Sequence, residues 1–163
     1  MVRQPLKFYI REYQKGDAPH IAQLFYVSVR GLGPLRYTAE QVAVWAPEPI
    51  DPATVHAKTV DGRTTLVAVN ASSEVIAYAD LEEDGHIDHL YCHPDISGTG
   101  VAEQLLDELL VSAIAARMPR LYTEASELAK GVFKRKGFEL VCRRDFELRG
   151  VPIHNFAMER LLN

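Results

Sequence analysis

The order in which the hydrophobic pattern changes along the chain limits its fold more than any other feature. Three β-rich runs follow one another at 64–70, 74–81 and 86–92, separated by short polar turns. A loop with two glycines then leads into a helical pattern within residues 101–118, and another β-rich run follows at 120–125. This order predicts an antiparallel meander joined to a single β-α-β unit, and it excludes the repeated β-α-β units of a doubly wound sheet.

The rest of the chain predicts helices before the meander and strands after its end. A strand pattern at 8–12 precedes a helix that Asp17 can cap, and two shorter helices follow that one. After the run 120–125, Ser126 can cap a last helix, and two strand patterns flank Arg149-Gly150. We therefore expect a mixed α+β protein.

Length and composition are those of an ordinary globular domain. The 163 residues are 47% hydrophobic and 25% charged, and no repeat or linker divides them, so we expect one domain over residues 1–163. A formal net charge of -4 gives no field that would attract nucleic acid. No apolar run approaches the ~20 residues that cross a bilayer, and the N-terminus lacks a signal-peptide pattern. We therefore expect a cytoplasmic protein that binds neither nucleic acid nor membranes.

The segment Ser97-Gly-Thr-Gly-Val-Ala102 joins the last strand of the meander to the long helix. Glycines let the backbone approach a ligand, and the free N–H groups of a helix's first turn favour an anion. The same glycines also suit a plain turn into a packed helix. Dinucleotide binding is disfavoured because Glu103 occupies the third small position of G-x-G-x-x-G, and no G-K-[ST] sequence indicates a P-loop. The surrounding sequence must decide between a ligand site and a turn.

Together with the preceding Leu90-Tyr-Cys-His-Pro94, this segment resembles the acetyl-CoA motif of the GNAT superfamily of N-acetyltransferases. The resemblance extends over nearly the whole chain, including the opening IREYQKGDAPHIAQLF and the pattern A-x-x-x-F-x-x-x-G-F at Ala129–Phe138. It implies a three-layer α-β-α fold around a twisted, mixed and mostly antiparallel sheet. It also implies that the strands 86–92 and 120–125 splay apart and admit acetyl-CoA.

The resemblance implies acetyl-CoA as co-substrate, with pantetheine along a strand edge and pyrophosphate on the glycine-containing loop. Backbone groups of a free strand edge can pair with the pantetheine amides, and a helix N-terminus suits the phosphates. The cofactor-binding residues implied are Leu90, Tyr91, Cys92, Gly98, Thr99, Gly100, Val101, Ala102, Ser126 and Phe133.

Two departures from the family's pattern bear on the chemistry. Ser97 replaces the usual Gln or Arg, and Thr99 stands where a second basic residue is common, so phosphate binding would rest on N–H groups and hydroxyls without a guanidinium. Phe133 stands where the family often has a tyrosine that protonates the leaving thiolate. This keeps a second function open, a non-catalytic acyl-CoA-binding or sensing protein. The candidate replacements for the phenol are the hydroxyls of Tyr91, Tyr122 and Ser126, or a water.

Acyl transfer to an amine needs a neutral nucleophile, whereas an alkylamine with a reference pKa of ~10.4 is protonated at pH 7. Strand alternation predicts that His86 and Asp88 share a face with Leu90 and Cys92. By resemblance, Asp88 occupies the position of the catalytic Glu of polyamine acetyltransferases, and His86 that of the Glu of histone acetyltransferases. Both are candidate catalytic bases, and an ordinary solvated strand carboxylate is the alternative for Asp88. We expect no metal site, because strand alternation puts the His89 side chain on the opposite face from those of His86 and Asp88.

The acceptor is the least determined part of the predicted function, which is direct acetyl transfer to a primary amine of a small molecule or peptide. Carboxylates are dense between Asp80 and Asp88, which favours a cationic acceptor or simply a solvated hairpin. Trp45 is a candidate cap of the acceptor pocket or a core aromatic. The basic run Lys134–Lys136 suits a helix C-terminus or the 3′-phosphate of CoA. The acceptor's identity, the acyl-chain preference and a homodimer are left open.

Overall fold

The computed structural model describes residues 5–162, and none of its helices is long and apolar enough to cross a membrane. The strands are β1 (Phe8–Glu12), β2 (Thr64–Asn70), β3 (Val75–Leu81), β4 (His86–Ile87), β5 (Leu90–Cys92), β6 (Arg120–Ala125), β7 (Glu139–Leu148) and β8 (Val151–Leu161). The helices are α1 (Ala18–Leu32), α2 (Ala39–Trp45), α3 (Pro52–Thr59), α4 (Val101–Ala115) and α5 (Lys130–Arg135). The predicted order of elements is confirmed, except that the run 86–92 forms two strands.

Side-chain hydrogen bonds cap the start of α2 but not the start of α1. Thr38 Oγ1 accepts from the Gln41 N–H at 3.1 Å, and Gln41 Oε1 accepts from the Thr38 N–H at 2.9 Å, which forms a capping box at the start of α2. Asp17 precedes α1 as predicted, but its side chain does not cap the helix. Its carboxylate instead pairs with Arg11 at 2.7 Å and accepts from the Gln14 N–H.

The strands form two four-stranded groups, β1-β2-β3-β5 and β4-β6-β8-β7. All paired neighbours are antiparallel except β4 and β6, which run parallel with His86 opposite Tyr122. The mixed, mostly antiparallel character of the sheet is therefore confirmed. The run 86–92 starts in one group and ends in the other, because β5 pairs with β3, with Tyr91 opposite Tyr78.

Helices cover both faces of the sheet, which confirms the three-layer order. The larger core lies under α4 and α5 and includes Leu105 and Leu109. On the opposite face, Ile21 of α1 and Val55 of α3 pack in a second core with Val67 of β2. The central strands β2 and β3 are buried almost throughout, which explains why their sequences are continuously apolar instead of alternating.

Candidate active site

The sheet opens into a cleft between β5 and β6. At its closed end β4 pairs with β6, and Thr123 Oγ1 donates to the carbonyl oxygen of Ile87 at 2.8 Å. Beyond that point β5 is bonded only to β3 within the described residues. The strands 86–92 and 120–125 therefore separate as the resemblance implies, and a free strand edge lines the opening.

The ladder between β3 and the residues around β5 determines which backbone groups face the cleft. His89 C=O accepts from β3 at 3.2 Å, and the His93 N–H donates to the same strand at 2.8 Å. Because hydrogen-bonded pairs alternate along an antiparallel ladder, the N–H and C=O groups of Tyr91 also point toward β3. Those of Leu90 and Cys92 point into the cleft. Tyr91 thus contributes only its side chain, whereas its two neighbours offer backbone groups.

Asp80, at the end of β3, explains why the run 86–92 divides. Its Oδ1 accepts the N–H of Asp88 at 3.1 Å and that of His89 at 2.8 Å, in place of a strand partner. Its Oδ2 lies 2.8 Å from Arg63 Nη1 and 2.7 Å from His89 Nδ1. Burial opposes ionisation of Asp80, but the bonds from His89 and Arg63 outweigh it and lower its pKa. A buried carboxylate with four hydrogen bonds therefore fixes the bend between β4 and β5.

The bend changes which side chains share a face. Alternation predicted Leu90 and Cys92 on the side of His86 and Asp88, with Ile87 opposite. That prediction was wrong, since Ile87, Leu90 and Cys92 all pack against the core under α4. The two residues between β4 and β5 break the alternation. His86 and Asp88 remain neighbours, with polar atoms of the two side chains within 4.8 Å of each other.

A cavity on one side of the cleft, here called the donor cavity, gathers most of the predicted cofactor-binding residues. Those that line it are Leu90, Tyr91, Cys92, Gly98, Gly100, Val101, Ala102 and Ser126. Thr99 and Phe133 are not among the described residues of its wall. The Thr99 hydroxyl donates to the Ile96 carbonyl at 2.6 Å, and Phe133 is 2% exposed and packs on Phe138. The structure therefore brings eight of the ten together.

Gly98 and Gly100 determine the shape of the loop that precedes α4. Their φ angles of +79° and +90° lie in the left-handed region, and a Cβ on either would meet no atom within 4 Å. Backbone conformation therefore requires glycine here, and the space beside both residues is free. Within residues 5–162, the N–H groups of Gly98, Gly100, Val101 and Ala102 have no protein acceptor. Such a set of free donors suits a phosphate.

Arg135 brings to this loop the cation that its own sequence lacks. It lines the donor cavity, and its Nη2 lies 2.6 Å from Glu103 Oε1 in the first turn of α4. Burial opposes ionisation of Glu103, but the bond from Arg135 prevails and lowers its pKa. A guanidinium therefore lies beside this loop, although the loop's own sequence supplies none. The basic run that ends α5 was the signal, although its approach to α4 depends on tertiary packing.

A second cavity, here called the acceptor cavity, meets the donor cavity inside the cleft. Residues on the walls of both are Trp45, Leu90, Tyr91, Ser126 and Ala129, so the two cavities are adjacent. The remaining residues that line the acceptor cavity are Tyr37, Asp88, Thr123, Glu124, Ala125, Phe133, Phe146, Leu148, Ile153, His154 and Asn155. Trp45 lies where a cap of the acceptor pocket was expected. Of the two candidate bases, Asp88 lines this cavity and His86 does not.

Asp88 belongs to a charged cluster around Arg63. Nη1 of Arg63 lies 2.8 Å from Asp80 and 3.1 Å from Asp88, and Nη2 lies 2.9 Å from Asp61 and 3.1 Å from Glu82. The Arg63 side chain is 6% exposed. Burial disfavours its charge, but the hydrogen bonds to three of these carboxylates keep its pKa above the usual value. One guanidinium therefore serves four carboxylates, and the cluster remains negative.

Two carboxylates hold His86 outside the acceptor cavity. Its Nε2 lies 2.6 Å from Glu124, its Nδ1 lies 3.4 Å from Glu82, and its ring stacks on Tyr122. Burial lowers the pKa of His86, but Glu124 and Glu82 raise it more, and the resulting pKa exceeds the usual value. Because its two ring nitrogens lie against Glu124 and Glu82, His86 is not placed to take a proton from the acceptor cavity, which favours Asp88. Glu124 also lines the acceptor cavity and is a functional candidate that the sequence motifs did not indicate.

The three hydroxyls expected near the cleft occupy different positions. Tyr122 donates its hydroxyl proton to Asp84 and lines neither cavity in the described part of the chain. Tyr91 and Ser126 lie where the cavities meet. Burial raises the pKa of Tyr91, so its phenol keeps its proton. Ser126 Oγ accepts from the Ala129 N–H at 3.2 Å, which leaves its own proton free to donate.

Comparisons with known proteins agree with this architecture. Residues 35–160 match a family model described as an acetyltransferase (GNAT) domain. The uncharacterized N-acetyltransferase YafP of Escherichia coli is 30% identical over 149 residues, which are 91% of this chain and 93% of that protein. A GCN5-related N-acetyltransferase structure from Rhodopseudomonas palustris is 31% identical over 99% of both chains, with a TM-score of 0.86. YncA of Salmonella typhimurium, solved with acetyl-CoA, is 18% identical over 96% of this chain and 95% of that one, with a TM-score of 0.74.

Proposed function

Because the chain belongs to the GNAT family and is an N-acetyltransferase, we propose that it transfers acetyl from acetyl-CoA directly to a primary amine in the acceptor cavity. The adjacency of the donor and acceptor cavities at Leu90, Tyr91 and Ser126 carries this proposal. A thioester at that junction would be approached by pantetheine from one side and by the amine nitrogen from the other. One opening in the sheet would serve both substrates.

The donor would lie along the edge of β5 and over the start of α4. Backbone groups of Leu90 and Cys92 face the cleft and can pair with pantetheine amides as a neighbouring strand would. The free N–H groups from Gly98 to Ala102 would bind the pyrophosphate, with Arg135 beside them. An N–H of β5 would also donate to the thioester carbonyl and stabilise the charge that develops on its oxygen.

The amine would lose its proton before or during its attack. Asp88 lines the acceptor cavity and is the carboxylate placed to accept this proton, directly or through water. His86 would not contact the amine. It would hold Glu124 in place, and the Glu124 carboxylate would orient the ammonium. Lys58, whose Nζ is 3.9 Å from Asp88, adds positive charge behind the carboxylate.

The transfer itself would need no covalent enzyme intermediate. Burial raises the pKa of the Cys92 thiol to about 11, so it is a poor nucleophile. The amine lone pair would form the new C–N bond while the C–S bond breaks, and the thiolate would take a proton from Tyr91, Ser126 or water. A single domain, a cytoplasmic location, a homodimer and the lack of a resident metal stay predictions.

Two substitutions in the first turn of α4 test the donor site. Ala102→Glu would put a carboxylate into the donor cavity and should weaken acetyl-CoA binding by ~10-fold or more, measured by calorimetry. Gln104→Glu adds the same charge two residues further along α4, on its exposed side, and should leave the affinity for acetyl-CoA nearly unchanged. Equal affinities of the two variants for acetyl-CoA would contradict the donor site.

Thiol release across a panel of amines tests acetyl transfer. Tight acetyl-CoA binding without any thiol release would favour the non-catalytic alternative.

A further inference from the structure

The walls of the acceptor cavity restrict the chemistry of the amine that can enter it. We propose that the acceptor is a monocationic primary amine with an apolar or aromatic body and without a carboxylate. This inference rests on the proposed function, because it assigns the cavity to the acceptor. Three features of the cavity support it, namely its aromatic side chains, its two carboxylates and the apolar part of its wall.

The aromatic wall is built from side chains that are held in place. Trp45 meets the Tyr37 ring edge-on with centroids 5.3 Å apart, and it meets the Tyr91 ring at 6.4 Å. The Tyr37 hydroxyl donates to the His154 carbonyl at 3.1 Å and accepts from the Glu127 N–H at 2.9 Å. Because these bonds fix the ring, the wall is preformed. It offers π-faces to a cation and flat contact area to an apolar body.

The charged groups on the wall are of one sign. Asp88 and Glu124 are its carboxylates, and no Lys or Arg lines the acceptor cavity within residues 5–162. The imidazole of His154 also lies on the wall, but its Nε2 is 2.8 Å from a Glu127 oxygen. Behind Asp88, Arg63 is shared among four carboxylates. An ammonium therefore has partners on the wall, whereas a carboxylate on the same molecule would meet like charge there, because Lys58, Arg63 and His86 lie behind the wall carboxylates and do not line the cavity.

Part of the cavity wall is apolar. Phe146 and Leu148 of β7, Ile153 of β8 and Phe133 contribute these apolar side chains. A second ammonium that lay against these side chains, away from Asp88 and Glu124, would be desolvated without a counter-ion. A hydrocarbon or aromatic body would instead bury apolar area there. Polyamines and free amino acids are therefore disfavoured for different reasons.

Trp45 allows the proposal to be tested without turnover, because it is the chain's single tryptophan and lies on the cavity wall. It also borders the donor cavity, so amines are titrated into protein already saturated with CoA. We expect phenethylamine and phenylalaninamide to change its fluorescence, and phenylalanine to bind ~100-fold more weakly, because only phenylalanine carries the carboxylate. Phenylalanine binding as tightly as phenethylamine, or no response to any amine, would overturn the proposal.

A second pair of probes tests the apolar body. Butylamine and 1,4-diaminobutane have the same four-carbon chain and differ in one terminal ammonium. The diamine should bind ~10-fold more weakly or worse, because its second charge loses water against the apolar wall. A diamine that binds more tightly than butylamine would show that the cavity binds a second ammonium, which contradicts the proposal.

Matched variants connect these affinities to the wall. Glu124→Gln should weaken phenethylamine binding by ~10-fold and reduce the discrimination against phenylalanine. Glu159→Gln removes a carboxylate from β8 that is paired 2.6 Å from Arg120 and lies off the cavity wall, so both quantities should stay unchanged. Equal effects of the two substitutions would mean that net charge, not this cavity, selects the amine.

Thiol release separates failure of this inference from failure of the proposed function. Release with phenylalanine or diaminobutane as fast as with phenethylamine leaves acetyl transfer intact and overturns the acceptor class. A selective fluorescence change with phenethylamine, without thiol release with any amine, supports the proposed class of amine as the ligand of this cavity. The same result contradicts acetyl transfer.

Discussion

At the scale of single residues, Asp88 and His86 are neighbours in different surroundings. Asp88 lines the acceptor cavity, whereas His86 is clamped between Glu124 and Glu82 behind it. The sequence identified both as candidate bases but could not rank them. Their ranking depends on contacts with β6 and with the end of β3, and such contacts between distant segments are not visible in the local pattern.

Asp88→Asn should lower turnover by ~10²-fold or more at neutral pH, because the amine loses its proton acceptor. Acetyl-CoA affinity should change little, since Asp88 does not line the donor cavity. His86→Gln should have a smaller effect on turnover. Rates between pH 6 and 9 and calorimetry check both. If both variants keep full activity across that range, neither residue is the base.

Phe133→Tyr should raise turnover while leaving acetyl-CoA affinity nearly unchanged. The ring lines the acceptor cavity and not the donor cavity, so the added hydroxyl would supply a proton donor near the junction without changing the phosphate site. Steady-state kinetics with one amine measures the change, with Tyr91→Phe as the companion variant that should slow the reaction. Unchanged or lower turnover in Phe133→Tyr would show that thiolate protonation is not limiting.

At the scale of elements, local patterns predicted the meander, the long helix and the late hairpin well. They failed at the division of the run 86–92 into β4 and β5. The cause is Asp80, whose side chain replaces a strand partner, and no periodicity rule includes such a bond. Arg135 shows the same limit, because its place beside the glycine-containing loop depends on how α5 packs against α4.

Asp80→Asn should destabilise the fold by about 3 kcal/mol and lower turnover, because it breaks a buried network and frees the bend that holds Asp88. Asp61→Asn removes a more exposed partner of the same Arg63 and should lower the free energy of unfolding much less.

The stabilisation that Asp80 provides should also depend on pH. The native pKa of Asp80 is lowered, so its stabilisation is present above the unfolded value of ~3.9 and is lost as pH falls through the native pKa. Urea unfolding between pH 3 and 8 measures this; a deficit independent of pH would contradict the assignment.

At the scale of the whole molecule, the two halves of the sheet are joined by a short parallel pairing and diverge beyond it. A donor bound in the cleft would contact β5 on one half and the residues after β6 on the other. Binding should therefore stabilise the molecule as a whole, by about 2.7 kcal/mol at 100-fold excess over the dissociation constant.

Hydrogen exchange should report this bridging residue by residue. Acetyl-CoA should slow exchange of the Leu90 and Cys92 amides, which face the cleft, and of the amides from Gly98 to Ala102. The Tyr91 amide points toward β3 and should be protected with or without ligand. NMR exchange measurements on free and bound protein check this pattern. Protection that appears at Tyr91 alone would contradict the register and the donor site together.

The shared wall of the two cavities also couples the sizes of the two substrates. Leu90, Tyr91 and Ser126 border both spaces, so the acyl group and the amine would meet beside the same side chains. Every methylene added to the acyl group therefore extends into volume that the amine would occupy. Longer acyl donors should be accepted only with smaller amines, so neither specificity can be defined without stating the other substrate.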